Sequence, residues 1–306
     1  MRRRTIWGLL GLLGACEARI NGVPADGPGA PDAAPTQPRR DAAMIPVPDA
    51  QAFGPWSAAA KLPPAESAAV EDDGTLSSNT LEMVFSIDPL NANGKDLYYS
   101  SRPSLTGSWS SPARLSFNSP TTSDEAPRMS ADDKTLYFAS ARAGNGTLDI
   151  WKTTRATPGT PSWGTPEPVM SVSTTTLSEK WFAPCGTDHY LMVQLGSNGL
   201  GDLVEGTVGG ATPTPITELN SPQNETGAFV TQDCLTVFFQ SARVSPTMIY
   251  TAHRASLTSP WTDLAQVTDF LAIGGNQEDP WLSPDGHTFT FASDASGSKD
   301  MYISTR

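Results

Sequence analysis

One motif recurs along this chain and leaves few folds open to it. It runs EAPRMSADDKTLYFAS from Glu125, then DIWKTTR and SWGTPEPV. From Glu225 it returns as ETGAFVTQDCLTVFFQS, MIYTAHR and PWTDLAQV, and from Glu278 as EDPWLSPDGHTFTFAS and DMYISTR. Weaker copies start at Glu66 (ESAAVEDDGTL, LEMVFSI, DLYYSSR, SWSSPARL) and Glu179 (EKWFAPCGTDHYLMVQ, DLVEGTV, TPTPITEL). The third segments begin at Asp96, Asp149, Asp202, Thr247 and Asp300, so the spacings are 53, 53, 45 and 53. A period of this size marks a stack or ring of one supersecondary unit.

Within each copy, alternating or β-branched and aromatic runs are divided by Asp-Asp, Pro-Asp-Gly or Gln-Asp-Cys turns, and a Trp-containing turn opens a fourth run in most copies. Four short strands per period describe a propeller blade. Helical periodicity is absent over any useful length, and 27 prolines agree with that. The expected fold is all-β, a five-bladed β-propeller over residues 53–306. The last copy ends at Arg306 without a fourth strand, while an extra GPWSAAAKL, Gly54–Leu62, precedes the first. Pairing of that segment with Asp300–Thr305 would close the ring and remove the open sheet edge that invites aggregation.

SADDKTLYFASARAGNGTLDIWKTTR and SPDGHTFTFAS with DMYISTR resemble the WD40-like, TolB-type propeller repeats of exported bacterial proteins. The resemblance covers about residues 66–306, strongest in the second and fifth copies and weakest in the third. It implies a propeller with a usually non-catalytic binding role. The peptidoglycan-binding domain that often accompanies such repeats has no counterpart here, so no cell-wall anchor is carried over.

The N-terminus speaks to location. Arg2-Arg3-Arg4 precedes an apolar run, Ile6–Ala15, too short to span a bilayer. Leu13-Gly14-Ala15-Cys16 resembles the bacterial lipobox, which implies a signal peptide over 1–15 and a lipid on Cys16. Glu17, in place of Asp, points by the same resemblance to the outer membrane. Residues 16–52 hold seven prolines among Ala, Gly and Asp. They cannot bury enough apolar surface to offset their ordering entropy, so a disordered tether is expected. The membrane would be met only through this lipid, and a monomer is expected.

The net charge of −12 narrows the partners. Six basic and five acidic residues fall in the first 50 positions, leaving 14 basic and 27 acidic for the rest. Such a surface repels phosphate backbones, which disfavours nucleic acid. In an oxidising compartment, Cys185 and Cys234 fall in equivalent turns of neighbouring blades, where a disulfide between them is expected.

The candidate ligand site is a ring of the opening acids, Glu66, Glu125, Glu179, Glu225 and Glu278, at one mouth of the central channel. Trp181 and Trp281 lie just beyond two of them, placed to stack a sugar or to pack in the core. Like charges so close need a cation or donors, and oxygen ligands suit Ca²⁺. The competing reading is structural, each Glu capping its own blade. Third-strand arginines Arg102, Arg155, Arg254 and Arg306, with Arg142 and Arg243, are expected to brace blade against blade. No catalytic motif is present: there is no Gly-x-Ser-x-Gly, His-Glu-x-x-His or Cys-x-x-Cys. No catalytic residue, metal site or cofactor is therefore assigned. The expected function is a non-enzymatic envelope module that binds protein or glycan. The alternative is a glycan-active hydrolase or lyase using acids such as Glu125, Glu179 and Glu278.

Overall fold

The computed structural model describes residues 54–65, 69–89 and 94–306. The expected signal peptide and tether, Cys16 and Glu66 lie outside the described residues. The described chain forms five antiparallel four-stranded sheets. β1 (Ala60–Lys61) comes first. Blade one is β2 (Val70–Leu76), β3 (Glu82–Asp88), β4 (Asp96–Ser101) and β5 (Ala113–Arg114). Blade two is β6 (Asp124–Met129), β7 (Thr135–Ser140), β8 (Asp149–Thr154) and β9 (Glu167–Pro168). Blade three is β10 (Ser178–Cys185), β11 (His189–Leu195), β12 (Gly201–Thr207) and β13 (Thr214–Pro215). Blade four is β14 (Glu225–Val230), β15 (Thr236–Ser241), β16 (Met248–His253) and β17 (Thr262–Gln266). β18 (Gln277–Leu282), β19 (Thr288–Ser293) and β20 (Asp300–Thr305) make blade five, and β1 is its fourth strand.

Ring closure therefore follows the expected route. Ala60 pairs with Ile303 and Lys61 with Tyr302, and the Ser57 and Leu62 amides donate to Thr305 O and Met301 O, each at 2.8 Å. Lys61 Nζ also reaches Asp300 at 2.9 Å.

Each blade presents apolar side chains to its neighbour. Val84, Leu97 and Tyr99 of blade one pack with Leu136, Phe138 and Trp163 of blade two, and Ile150 of blade two with Phe182, Tyr190 and Met192 of blade three. Alternation along the strands produces this two-faced burial, because successive side chains leave opposite faces of the sheet.

A second repeated device holds the rims. In four blades the Arg ending the third strand donates its Nε–H to a backbone carbonyl in the first hairpin turn: Arg102 to Thr80, Arg155 to Asp133, Arg254 to Cys234 and Arg306 to Gly286. Those four acceptor residues all have positive φ, between 57° and 73°. The same guanidinium lies over a Trp in the segment leading into the fourth strand, 4.2–4.7 Å from the ring centre, in the pairs Arg102–Trp109, Arg155–Trp163, Arg254–Trp261 and Arg306–Trp56. Trp56 arrives from the N-terminal segment, so the closing strand reproduces the blade's own chemistry.

The bracing arginines do not all act between blades. Arg155 grips Glu82 of blade one with both terminal nitrogens, and Arg254 reaches Glu205 of blade three. Arg142 and Arg243 instead tie Asp124 and Glu225 within their own blades. Blade three lacks the Arg–Trp pair. There Cys185 is disulfide-bonded to Cys234 of blade four, and the Gly186 amide donates to Gln232 O at 2.7 Å.

Leu62 is 1% exposed against Met301 and Phe85 at the closure. Leu62→Ala is expected to cost about 3 kcal/mol, read as a fall of several degrees in Tm. Leu105→Ala, at an exposed loop, should cost no more than about 0.5 kcal/mol. Equal melting of the two variants would remove the closing strand from the stability of the ring.

Candidate functional site

The channel is lined by the first strand of each blade, and every one carries the same irregularity. The pairing register slips between Asp72 and Thr75, Glu125 and Arg128, Lys180 and Ala183, Thr226 and Phe229, and Glu278 and Trp281. The residue entering each bulge is Asp73, Ala126, Trp181, Gly227 or Asp279, with φ between 51° and 62°. Four of the five have a Cβ, for which this region costs about 1–2 kcal/mol. A bulge re-aims side chains, and here it sends Asp73, Trp181 and Asp279 across the channel. Gly227 has a separate reason. A Cβ there would lie 2.2 Å from Gln240 Oε1, the atom that accepts from the Asp279 amide at 2.7 Å.

This register corrects the expected ring of five glutamates. The residues just before the bulge are Asp72, Glu125, Lys180, Thr226 and Glu278, whereas Glu179 and Glu225 sit one place earlier with Glu71, Asp124 and Gln277. Glu125 and Glu278 are thus at the mouth. Glu179 and Glu225 are buried inside their own blades. Glu179 accepts from Thr174 and Gln194, and Glu225 from Ser221, Ser241 and Arg243. These two follow the capping reading, because local donors occupy both oxygens of Glu225 and Oε1 of Glu179.

What occupies the mouth is a mixed-charge network. Lys95 Nζ contacts both oxygens of Asp72 (2.7 and 2.6 Å) and Asp73 Oδ2 (3.3 Å). Lys180 Nζ reaches Glu125 at 2.7 Å, and Lys299 pairs with Glu278 and stands 3.6 Å from Asp72. Beneath the lysines, Trp181 Nε1 donates to Asp73 Oδ1 (2.7 Å) and Asp279 Oδ1 (3.1 Å), joining blade three to blades one and five. Lys180 Nζ lies 4.3 Å from the centre of the Trp181 ring. Asp72, Asp73 and Asp279 are 3%, 1% and 2% exposed.

Three neighbouring carboxyls are pushed apart. Burial, reinforced by Asp73 and Asp72, drives the Asp279 carboxyl well above the usual range. Burial and the Asp73 charge raise Asp72 to about 7. Burial also works against an Asp73 anion, yet Lys95, Lys180 and a hydrogen bond with Asp279 hold it well below the usual range. The two carboxyls are pushed in opposite directions, Asp279 toward its protonated form and Asp73 toward its anion, as expected for neighbouring acids that share one indole donor in a dry site. The positive charge among them comes from ammonium groups. Among the described residues no set of three or more His, Cys, Asp or Glu has the arrangement to hold a metal ion.

Trp281 is deeper, in the next ring down with Thr75, Arg128, Ala183 and Phe229, and its ring centre lies 6.3 Å from that of Phe229. Trp181 and Trp281 therefore serve opposite ends of the channel, not one sugar platform.

Sequence reasoning missed Asp72, Asp73, Asp279, Arg128 and the three lysines. The signal lay in the hairpin turn. Counting six residues back from Ser77, Ser130, Cys185, Thr231 and Ser283 gives Glu71, Asp124, Glu179, Glu225 and Gln277, the register the structure adopts. Anchoring on glutamate identity slipped it by one in blades two and five, and by five in blade one.

No family model and no curated protein sequence matches the chain. Solved structures do. A protein assigned as TolB from Agrobacterium tumefaciens is 15% identical, with 74% of this chain and 71% of that one covered and a TM-score of 0.51. The catalytic domain of a Coprinopsis cinerea GH62 alpha-L-arabinofuranosidase is 13% identical over 82% and 96%, at 0.54. An endo-arabinase from Bacteroides thetaiotaomicron is 12% identical over 79% and 96%, at 0.53. At such identities the likeness is one of fold. TolB-like and glycosidase propellers share this architecture, and architecture does not choose between them.

Glu179 Oε2 is buried without a hydrogen-bond partner, and burial pushes this carboxyl up to about 7. A carboxyl with a raised folded value holds its proton more tightly when folded. The stability it lends is complete below about pH 4 and lost as pH rises through about 7. Asp72 acts in the same sense. Glu179→Gln cannot ionise, so its Tm should fall less than that of the unaltered protein between about pH 5 and about pH 8. Parallel Tm profiles would show that Glu179 ionises freely in the fold.

Proposed function

We propose that this chain is a non-enzymatic binding propeller, held at the bacterial envelope by a lipid on Cys16, that engages an envelope protein or glycan through one face of the ring. The observation that carries the reading is the state of the channel acids. Glycoside hydrolysis needs an acid and a base set about 5–10 Å apart on either side of a reachable bond. Here the Asp73 amide donates to Asp279 Oδ2 at 3.4 Å, the Trp181 N–H serves both carboxyls, and the pair is buried and covered by Lys95, Lys180 and Lys299. The Trp181 indole N–H stands between the two carboxyls and leaves no place there for a glycosidic oxygen.

One feature favours the hydrolase as a second reading. The opposed protonation of Asp73 and Asp279 is the asymmetry an acid–base pair requires. The two readings separate on turnover. The full chain, incubated with arabino-, xylo- and galacturono-oligosaccharides, should release no new reducing ends or unsaturated products. Turnover that disappears in Asp73→Asn would replace the binding reading with the hydrolase.

The address has its own test. Cys16→Ser should move the protein from the membrane fraction to the soluble fraction of the cell envelope, leaving Tm unchanged. Membrane retention of that variant would contradict the lipid anchor.

A further inference from the structure

The end of the channel opposite the lysines is built differently. It opens as a cavity of about 90 Å³ walled by Leu76, Met129, Ala183, Phe229, Trp281 and Leu282, and Arg128 also lines it. Arg128 is 2% exposed. Its guanidinium crosses the axis from blade two, with Nε and one terminal nitrogen donating to Ala228 O at 3.3 Å in blade four and the other to Pro127 O at 3.0 Å. Three of its five N–H groups are used. The other two have no acceptor among the described residues, and Arg128 makes no ion pair there, unlike Arg155, Arg254, Arg142 and Arg243.

That arrangement is costly without an occupant. A buried guanidinium wants a carboxylate, and burial lowers the hold of Arg128 on its proton, with only the longer-range fields of Asp279 and Asp73 opposing it. A planar fork with spare donors matches a carboxylate, and the apolar wall above it matches a hydrophobic stem. The −12 charge of the chain repels a polyanion, so the fit is to one negative group.

We infer that this mouth of the channel captures the free C-terminal carboxylate of a peptide whose last residue is apolar. The carboxylate meets Arg128, the terminal side chain fills the throat beside Trp281 and Phe229, and the preceding backbone leaves through the mouth past Ser130, Thr231 and Gln232, which border the cavity. The inference rests on the binding reading above and gives it a ligand chemistry.

Tryptophan fluorescence and calorimetry on the full chain test it with three probes: Ala-Ala-Phe as the free acid, the same peptide as its C-terminal amide, and phenylacetate. The free acid should bind and perturb the fluorescence of Trp281, and the amide should bind at least about tenfold more weakly. Ala183→Met, which fills the throat without touching charge, should weaken the acid while Tm holds. Arg128→Lys keeps the charge but not the fork and should narrow the gap between acid and amide; if that variant does not fold, the acid–amide comparison on the unaltered chain still decides. Equal affinities for acid and amide, or no binding of the acid at about millimolar concentration, would overturn the inference. Phenylacetate binding as tightly as the peptide would overturn the peptide as occupant. Equal binding leaves a binding propeller standing, whereas oligosaccharide turnover lost in Asp73→Asn removes the reading beneath it.

Discussion

The ladder between β1 and β20 is short, yet the channel exists only because it forms. Five twisted sheets surround an axis only if the first and last are joined, and the chain joins them by giving its N-terminal strand to the C-terminal blade. Backbone bonds at Ser57, Ala60, Lys61 and Leu62 are backed by the Lys61–Asp300 pair and by Trp56 under Arg306. Without them β20 would be an exposed edge, and Asp73 in blade one would lose the position opposite Asp279 in blade five that lets one indole N–H serve both.

The rest of the ring is held by repetition with local substitution. Four blades tie the third strand to the first turn with an arginine sandwiched between a left-handed residue's carbonyl and a tryptophan ring. Blade three has neither partner in its sequence, and its turn is fastened covalently to blade four. A bond closing a long loop restricts the unfolded chain, so the weakest repeat carries the strongest single link.

The channel reverses its chemistry along its length. At one end lysines neutralise buried carboxyls, and the Asp73–Trp181–Asp279 bridge closes the bore. Below it Arg128 spans the axis with donors to spare, above an apolar throat. Both layers come from the first-strand bulge, which turns neighbouring residues of one strand toward different depths. Three of the left-handed residues at those bulges, Asp73, Trp181 and Asp279, are held in place by the polar network they form.

The sequence by itself determined the repeat, the number of blades, the closing strand and the equivalence of the Cys185 and Cys234 turns. Each follows from local chemistry that recurs at a fixed period: alternation, turn residues, and a fourth strand missing at one end and spare at the other. Only the tertiary structure decided the site. Glu179 and Glu225 stand one position earlier in their strands than Glu125 and Glu278, and because successive side chains leave opposite faces of a sheet, residues alike in type face into the blade or toward the channel mouth. Asp73 and Asp279 stand 206 residues apart, and Trp181 lies between them in sequence. Their shared hydrogen bonds, and the spare donors of Arg128, exist because ring geometry brings different blades to one axis, a relation no single repeat encodes.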